Sequence, residues 1–154
     1  KSQWIFWKVF KMREILFRAK RKATNEWVYG YFVNEYDNSQ IYVQPQIITR
    51  SGREYVNENT LGQFTGLTDK NGTKIFEGDI LESPIGRKAV VSFGTYKPWS
   101  TKDSDDFECW KLTLIANNEG ETKLECGLGK HCTEYMKVIG NIHDNPELLK
   151  GGEK

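Results

Sequence analysis

Residues 60–81 read TLGQFTGLTDKNGTKIFEGDIL, and the fold class is clearest from this segment. Its strongest signal is the turn at residues 69–72, Asp-Lys-Asn-Gly, because Asn-Gly pairs supply the positive backbone dihedrals that tight hairpins require. Gly78 and Asp79 then open a further strand through Ile80 and Leu81. The stretch therefore predicts short extended segments that fold back on one another.

The same alternation of strand and turn continues on both sides. Strands are predicted at 13–19, 27–33, 41–43, 88–93, 107–115 and 134–141, with turns at 20–25, 37–39, 51–52, 84–86 and 117–120. These segments are rich in β-branched and aromatic residues, and turn residues recur at the spacing typical of small barrels and sandwiches. Pro45 cannot donate to a central ladder, so residues 44–49 are predicted to form an edge strand or a bend.

Helix is a minor component of the predicted structure. Asn145 and Pro146 are typical of an N-cap and a first helical position, and they predict a short C-terminal helix at 145–149. Residues 53–61 are the other stretch with some helical periodicity, and the polar residues 95–106 are predicted to be a mobile loop. The fold class is therefore mainly β, or β-rich α+β at most, with small, partly barrel-like antiparallel sheets.

Length and composition predict one domain. The chain has 154 residues, of which 38% are hydrophobic, enough for a core of its own. We expect a single domain at 12–150, an upstream or non-native tail at 1–11 and a flexible terminus at 151–154. No run of about 18 apolar residues is present, so no membrane span is predicted. Three cysteines are too few for a disulfide framework, which favours a reducing cytoplasm.

Positive charge is concentrated at the N-terminal end. Residues 1–22 hold eight basic side chains and one acidic, a net charge of +7, while the rest of the chain has a net charge of −6. One interpretation is that this end docks on the acidic body of the same chain. The alternative is nucleic-acid binding by the basic side chains Arg18, Lys20, Arg21 and Lys22, next to a stacking platform of Trp27, Tyr29, Tyr31 and Tyr42.

Catalytic and metal-binding patterns are weak. The candidate zinc ligands are Cys109, Cys126, His131 and Cys132. The short Cys-x-x-Cys spacing that brings two ligands onto one ion is missing. His143 and Asp144 are adjacent only in sequence, and a turn histidine is the simpler interpretation. Glu77 and Asp79 would share a strand face and, with Asp69, offer acid–base or divalent-ion chemistry. The simpler interpretation of Asp79 is a hydrogen bond to backbone at a turn. No catalytic, metal or cofactor-binding residue is predicted.

Three blocks of the sequence carry a resemblance to a known family. They are MREILFRA at 12–19, the segment 62–80 with its GQFTGL and IFEGDI motifs, and VIGNI at 138–142 followed by NPELL at 145–149. In this order and spacing the blocks resemble the YopX-like proteins of bacteriophages and prophages, over residues 12–149. The resemblance implies a small, mainly β bacterial phage protein, and it brings no catalytic residues with it.

The residue patterns and the family resemblance lead to three functional hypotheses. The first is a non-enzymatic accessory or binding module in the cytoplasm of a bacterial host, with self-association through exposed strand edges. The second is a nucleic-acid-binding protein that uses the basic, aromatic N-terminal region. The third is a metal-dependent enzyme.

Overall fold

The computed structural model describes residues 14–36, 43–97, 107–115 and 124–150. The strands in these ranges form two antiparallel sheets. The mainly β prediction is confirmed, and within the described ranges neither sheet closes into a barrel. The predicted tail at 1–11, the C-terminus at 151–154 and the turns at 37–39 and 117–120 lie outside these ranges, as does most of the predicted loop at 95–106.

The first sheet is built from the N-terminal half of the chain. Its strands are β1 (Phe17–Lys20), β2 (Trp27–Tyr36), β3 (Val43–Thr49), β4 (Gly52–Tyr55), β5 (Gly62–Thr68) and β6 (Lys74–Phe76). They lie in the order β4-β3-β2-β1-β5-β6. Strand β1 is interior because it pairs with β2 on one side and with the start of β5 on the other. Its side chains therefore lie among strands from two distant parts of the sequence.

The second sheet is built from the C-terminal half. Its strands are β7 (Asp79–Glu82), β8 (Lys88–Tyr96), β9 (Phe107–Leu114), β10 (Glu125–Gly127) and β11 (Lys137–Asn141), in the order β10-β9-β8-β7-β11. Helix α1 (Lys130–Thr133) and 3-10 helices at Glu58–Thr60 and Pro146–Leu149 complete the described structure. The predicted short C-terminal helix is thus a 3-10 helix. A turn of two residues, Glu77 and Gly78, leads from one sheet into the other.

The predicted turns at 51–52, 69–72 and 84–86 are confirmed. At the second of these only Gly72, with a φ of +83°, takes a left-handed conformation. Asn71 instead donates its backbone N–H to the side chain of Asp69 at 2.8 Å. The turn is therefore stabilised by an aspartate that precedes it as well as by its glycine.

The prediction that Pro45 marks an edge strand or a bend is wrong. Pro45 lies in β3, between Asn34 of β2 and the end of β4. Its carbonyl oxygen accepts the N–H of Val56 at 3.1 Å. A hydrogen-bonded pair in an antiparallel ladder normally forms two N–H···O bonds, one in each direction. Because Pro45 has no N–H, the pair loses only the hydrogen bond that position 45 would donate to the carbonyl oxygen of Val56. That bond would lie just beyond β4, which ends at Tyr55, so the sheet tolerates proline there.

Other element boundaries also differ from the predictions. The first strand begins at Phe17 and the last at Lys137, because α1 and a turn occupy the residues before the last strand. Residues 53–61 are not one helix but the rest of β4 followed by a 3-10 turn. The side chain of Asn145 does not cap the C-terminal helix. It accepts the backbone N–H of Asn141 at 3.3 Å instead.

Two apolar clusters form the core. One lies on the first sheet and contains Ala19, Val28, Ile47 and Val56. The other lies between β6, the second sheet and the segment of α1, and contains Ile75, Leu81, Ala89, Val91, Leu112 and Met136. Among the described residues, no helix has the length and apolar character needed to cross a membrane.

Candidate functional site at the junction of the two sheets

Arg18 is the centre of a charged cluster where the first sheet meets the second. Only 7% of the residue is exposed. Its Nη2 lies 2.6 Å from Oδ1 of Asp79 and donates to the carbonyl oxygen of Glu77 at 3.2 Å. The guanidinium carbon lies 4.7 Å from the ring centroid of Trp27 and 4.9 Å from that of Phe76. Such desolvated cation–π contacts contribute about 2 kcal/mol, so the rings help to hold the buried charge.

Asp79 is the buried counter-ion of Arg18. It begins β7, and its Oδ2 accepts the backbone N–H of Phe76 at 2.7 Å. This contact confirms the interpretation of Asp79 as an acceptor of a backbone hydrogen bond at a turn. Burial raises the pKa of Asp79, and the charge of Arg18 opposes that rise. Both carboxylate oxygens are therefore engaged in holding the two sheets together.

A second ion pair lies beside the first. Nζ of Lys20 is 2.5 Å from Oδ1 of Asp144, and the indole N–H of Trp27 donates to Oδ2 of Asp144 at 2.6 Å. Hydrogen bonds from Asn141 and Lys20 lower the pKa of this carboxyl well below its usual range. The ring of His143 lies 5.9 Å from that of Trp27, and burial together with the nearby Arg18 and Lys20 charges lowers the pKa of His143. The turn at 142–144 is thus fixed against the first sheet.

Asp69 forms the third link between the sheets. Its Oδ1 accepts the backbone N–H groups of Asn71 and Thr73, at 2.8 and 2.9 Å. Its Oδ2 accepts the N–H of Val138 in β11 at 2.9 Å. Burial by itself would raise the pKa of Asp69, but these backbone hydrogen bonds outweigh burial and lower it. One carboxylate therefore stabilises a hairpin of the first sheet and joins it to the second.

The predicted carboxylate group of Glu77, Asp79 and Asp69 is not assembled as a strand-face site. Glu77 lies in the turn before β7 and so does not share a strand with Asp79. Asp79 and Asp69 are each occupied by the contacts given above. Among the described residues, no group of three or more His, Cys, Asp and Glu side chains is placed to hold a metal ion.

A cleft opens next to the Arg18–Asp79 pair. It has a volume of about 390 Å³ and takes its walls from both sheets. The lining residues are Leu16, Arg18, Tyr29, Thr73, Lys74, Phe76, Asp79 and Val138. Aromatic and aliphatic side chains form much of the wall, with a few charged groups, which is the usual make-up of a binding cleft of this size.

Three tyrosines extend from the cleft across the first sheet. Tyr29 is 49% exposed, Tyr31 67% and Tyr55 54%. Tyr29 and Tyr31 share one face of β2, because side chains alternate along a strand. Tyr55 of β4 pairs with Gln46 of β3, and Gln46 pairs in turn with Val33 of β2. Val33 lies on the same face of β2 as Tyr29 and Tyr31, so Tyr55 shares that face. The three exposed rings therefore lie on one face of the first sheet, and Tyr29 also lines the cleft.

The basic residues predicted to contact nucleic acid have unequal environments. Arg18 and Lys20 are buried in the ion pairs described above. Arg21 lies 3.1 Å from Glu54 and 3.4 Å from Glu26, and Lys22 is exposed. The three paired cations agree with the interpretation that the basic end docks on acidic groups of its own chain.

The aromatic residues of the predicted stacking platform also differ in their exposure. Tyr29 and Tyr31 are exposed, whereas Trp27 is half-buried against Arg18 and Asp144. Tyr42 lies outside the described residues. Sequence reasoning missed the role of Lys20 and Asp144 as an inter-sheet pair. The one signal was the alternation of Arg18 and Lys20 with the apolar Phe17 and Ala19, which placed both cations on one face of β1.

Comparison with known proteins yields one family match. A family model described as YopX protein matches residues 16–150. The chain is also similar to the crystal structure of protein EF1440 from Enterococcus faecalis, with 25% sequence identity and a TM-score of 0.43. That similarity covers 90% of this chain and 100% of the other. No curated protein sequence matches the chain.

Proposed function

The chain belongs to the YopX protein family, and we propose that it is a phage- or prophage-encoded accessory protein that acts by binding a partner and not by catalysis. Its place of action in this proposal is the cytoplasm of the bacterial host. The phage origin is supported by the three sequence blocks that resemble YopX-like proteins of phages and prophages. The binding role is supported by the cleft and by the exposed tyrosines on the same face of the first sheet.

The carboxylates of the junction support a role without catalysis. Asp69, Asp79 and Asp144 each accept hydrogen bonds or ion pairs from groups that belong to the fold itself. A general acid or base has to exchange a proton with a substrate, and these oxygens already stabilise buried backbone and charged groups. Elemental analysis of the purified chain that finds a stoichiometric metal would contradict this part of the proposal.

The exposed tyrosines carry the argument for a partner. Tyrosine is enriched at the centres of protein interfaces, because its ring buries a large area at a small cost in conformational entropy. Tyr31 is the most exposed of the three rings. Exposed aromatic side chains grouped on one face beside a cleft are typical of a protein interaction site. We therefore expect Tyr31 to lie at the centre of the interface.

The test is a capture experiment from phage-infected or prophage-induced host cells. Tagged wild-type chain is compared with Tyr31→Ala and with Tyr135→Ala, a matched control because Tyr135 is 61% exposed but follows α1 in the other half of the molecule. We expect a partner that is captured by wild type and by the control and lost with Tyr31→Ala. Equal capture by both variants, or the same proteins captured from uninduced cells without the phage, would argue against the proposal.

A second candidate function, single-strand nucleic-acid binding, is favoured by the same three rings. Bases stack on exposed aromatic side chains with about 1–3 kcal/mol per base. Lys22 is the exposed member of the predicted basic set, and we expect Lys22→Ala to reduce the salt dependence of binding. Fluorescence anisotropy with single- and double-stranded oligonucleotides at low salt tests this function, and the absence of salt-dependent binding would remove it.

Self-association remains part of the binding proposal. Strand β4 forms one edge of the first sheet and β11 one edge of the second. Exposed edges pair readily with a second copy, although the charged Arg53 and Glu54 on β4 oppose close pairing of identical edges. Light scattering after size exclusion measures the mass directly. A single-chain mass across the micromolar range would exclude a stable homo-oligomer.

A further inference from the structure

Two of the three cysteines pack against the same apolar cluster in the second half of the molecule. Cys126 is in β10 and Cys132 is in α1, and both are half-buried against the core cluster of the second sheet. The Sγ of Cys132 lies 3.7 Å from the carbonyl oxygen of Gly127, to which it donates. Gly127 directly follows Cys126, and the two cysteine side chains pack against the same apolar cluster. The Cys132 thiol therefore lies against the segment of β10 that holds Cys126.

The chain between these cysteines can adjust with little effort. Five residues separate them, and two of the five, Gly127 and Gly129, are glycines. Strand β10 has three residues and lies at the edge of its sheet, and α1 is a single turn of four residues. Short edge elements of this kind move at a low cost in free energy. The approach needed for a covalent bond is thus local and leaves the rest of the sheet in place.

The Cys126 thiol is rarely ionised at neutral pH. Burial, together with the adjacent thiol of Cys132, raises the pKa of Cys126 to about 11. At neutral pH only about one Cys126 in ten thousand is then ionised, and the thiolate is the form that attacks a disulfide. Cys126 is therefore slow to attack an oxidant, and we assign it the second step of the reaction.

We propose that Cys126 and Cys132 are a redox-modification site that closes to an intramolecular disulfide on exposure to a low-molecular-weight disulfide such as oxidised glutathione. The Cys132 thiolate attacks the oxidant, forms a mixed disulfide and releases one glutathione thiolate, which takes up a proton. Cys126 then loses its proton and attacks the Cys132 sulfur, and the second glutathione leaves and is protonated. The protein loses two electrons and two protons, and the oxidant is reduced to two thiols.

Cys109 serves as an internal control. It lies in β9, three positions from Leu112, so its side chain is on the opposite face of the sheet from Leu112 and from Cys126, which pairs with Leu112. Its pKa is also raised by burial. Cys109 therefore has no geometric route to either of the other two thiols within the folded chain.

The experiment uses the full chain, reduced, desalted and treated with oxidised glutathione. We expect the thiol count of the denatured protein to fall from three to one, and peptide mass mapping to find Cys126 joined to Cys132. Dithiothreitol should restore three thiols. Cys109→Ser should fall from two to none, whereas Cys126→Ser should stop at the mixed glutathione disulfide on Cys132. The oxidised wild type should also melt at a higher temperature than the reduced form, because the cross-link restricts the unfolded chain.

Several outcomes would overturn the proposal. They are three thiols that persist at concentrations of oxidised glutathione that modify Cys132 in Cys126→Ser, a link that includes Cys109, and disulfide-linked dimers in place of the internal bond. A stable mixed disulfide on wild-type Cys132 would also overturn it, because the second sulfur would then be out of reach. Melting curves of each variant in reducing buffer establish that the serine variants are folded.

Discussion

The link formed by Asp69 leads to the sharpest prediction, for the substitution Asp69→Asn. The residue is 5% exposed, and its two oxygens accept three backbone N–H groups, two within the hairpin turn and one from Val138 in the other sheet. Asparagine has nearly the same size but only one acceptor oxygen. If that oxygen keeps the turn, the new NH₂ group faces the N–H of Val138, so that two donors oppose each other.

The magnitude follows from these three contacts. A buried donor left without a partner costs about 1–3 kcal/mol. The two remaining hydrogen bonds lose the reinforcement of a charged acceptor, which roughly doubles the strength of such bonds, for a further loss of about 1 kcal/mol. We therefore expect Asp69→Asn to lower the free energy of unfolding by about 2–4 kcal/mol. For a domain of this size, that loss corresponds to a melting temperature roughly 5–15 °C lower.

Urea denaturation followed by tryptophan fluorescence at pH 7 measures this loss. Glu134→Gln is the matched control, an acid-to-amide change at an exposed position, and it should stay within about 0.5 kcal/mol of wild type. The pH dependence gives an independent check. The pKa of Asp69 is lower in the folded state than its ordinary value of 3.8, so its stabilising contribution is present above that value and is lost as pH falls through the folded pKa.

The difference between wild type and Asp69→Asn should therefore narrow in acid. A variant as stable as wild type at pH 7 would contradict this prediction, and so would a stability difference that does not change between pH 7 and pH 2.5. Either result would mean that the hairpin turn and β11 are held together by something other than this carboxylate.

Three further predictions concern the junction and the strand packing. Arg18→Met should lower the free energy of unfolding, measured in urea, by about 3–5 kcal/mol, because it leaves the Asp79 carboxylate buried without its cation. Adding Asp79→Asn should recover part of that loss. A double variant that is no more stable than Arg18→Met alone would contradict this prediction. Gly30→Ala should lower the free energy of unfolding by about 3 kcal/mol or more, since a Cβ there would lie 2.0 Å from a carbonyl oxygen of β3. Gly86→Ala, in open space at a φ of +78°, should lower it by only about 1 kcal/mol. Equal shifts in melting temperature for the two variants would contradict this prediction. Asp144→Asn should lower the free energy of unfolding by about 1 kcal/mol, because the carboxylate is partly exposed and screened. It should also change the fluorescence emission of Trp27, whose indole N–H loses a charged acceptor. Unchanged emission would show that this contact is absent in solution.

Local sequence patterns predicted much of the architecture. Turn residues at 51–52, 69–72 and 84–86 and the aromatic, β-branched segments between them predicted the hairpins that the structure contains. The reason is that positive backbone dihedrals and side-chain alternation are properties of a few adjacent residues. The 3-10 helix that begins at Pro146 was recognisable in the same way.

The candidate site was only partly predictable. Asp79 was recognised as a backbone acceptor, because a short polar residue after glycine at a turn has that local role. The cationic set at Arg18, Lys20, Arg21 and Lys22 resembled an exposed basic patch in the sequence. Burial of the first two depends on aspartates some 60 and 120 residues further along the chain, and no local pattern reports such partners.

Local residue patterns are enough to specify short antiparallel strands with tight turns in this chain, because backbone preference and alternation act over neighbouring residues. Long-range packing, in contrast, makes β1 an interior strand and neutralises its cations inside the molecule. It also brings Asp69 of the hairpin to β11 and packs Cys126 and Cys132 against the same apolar cluster. The physical reason is that a charge or a thiol is exposed or buried according to which distant segment packs against it, and that choice is made by the energy of the whole fold.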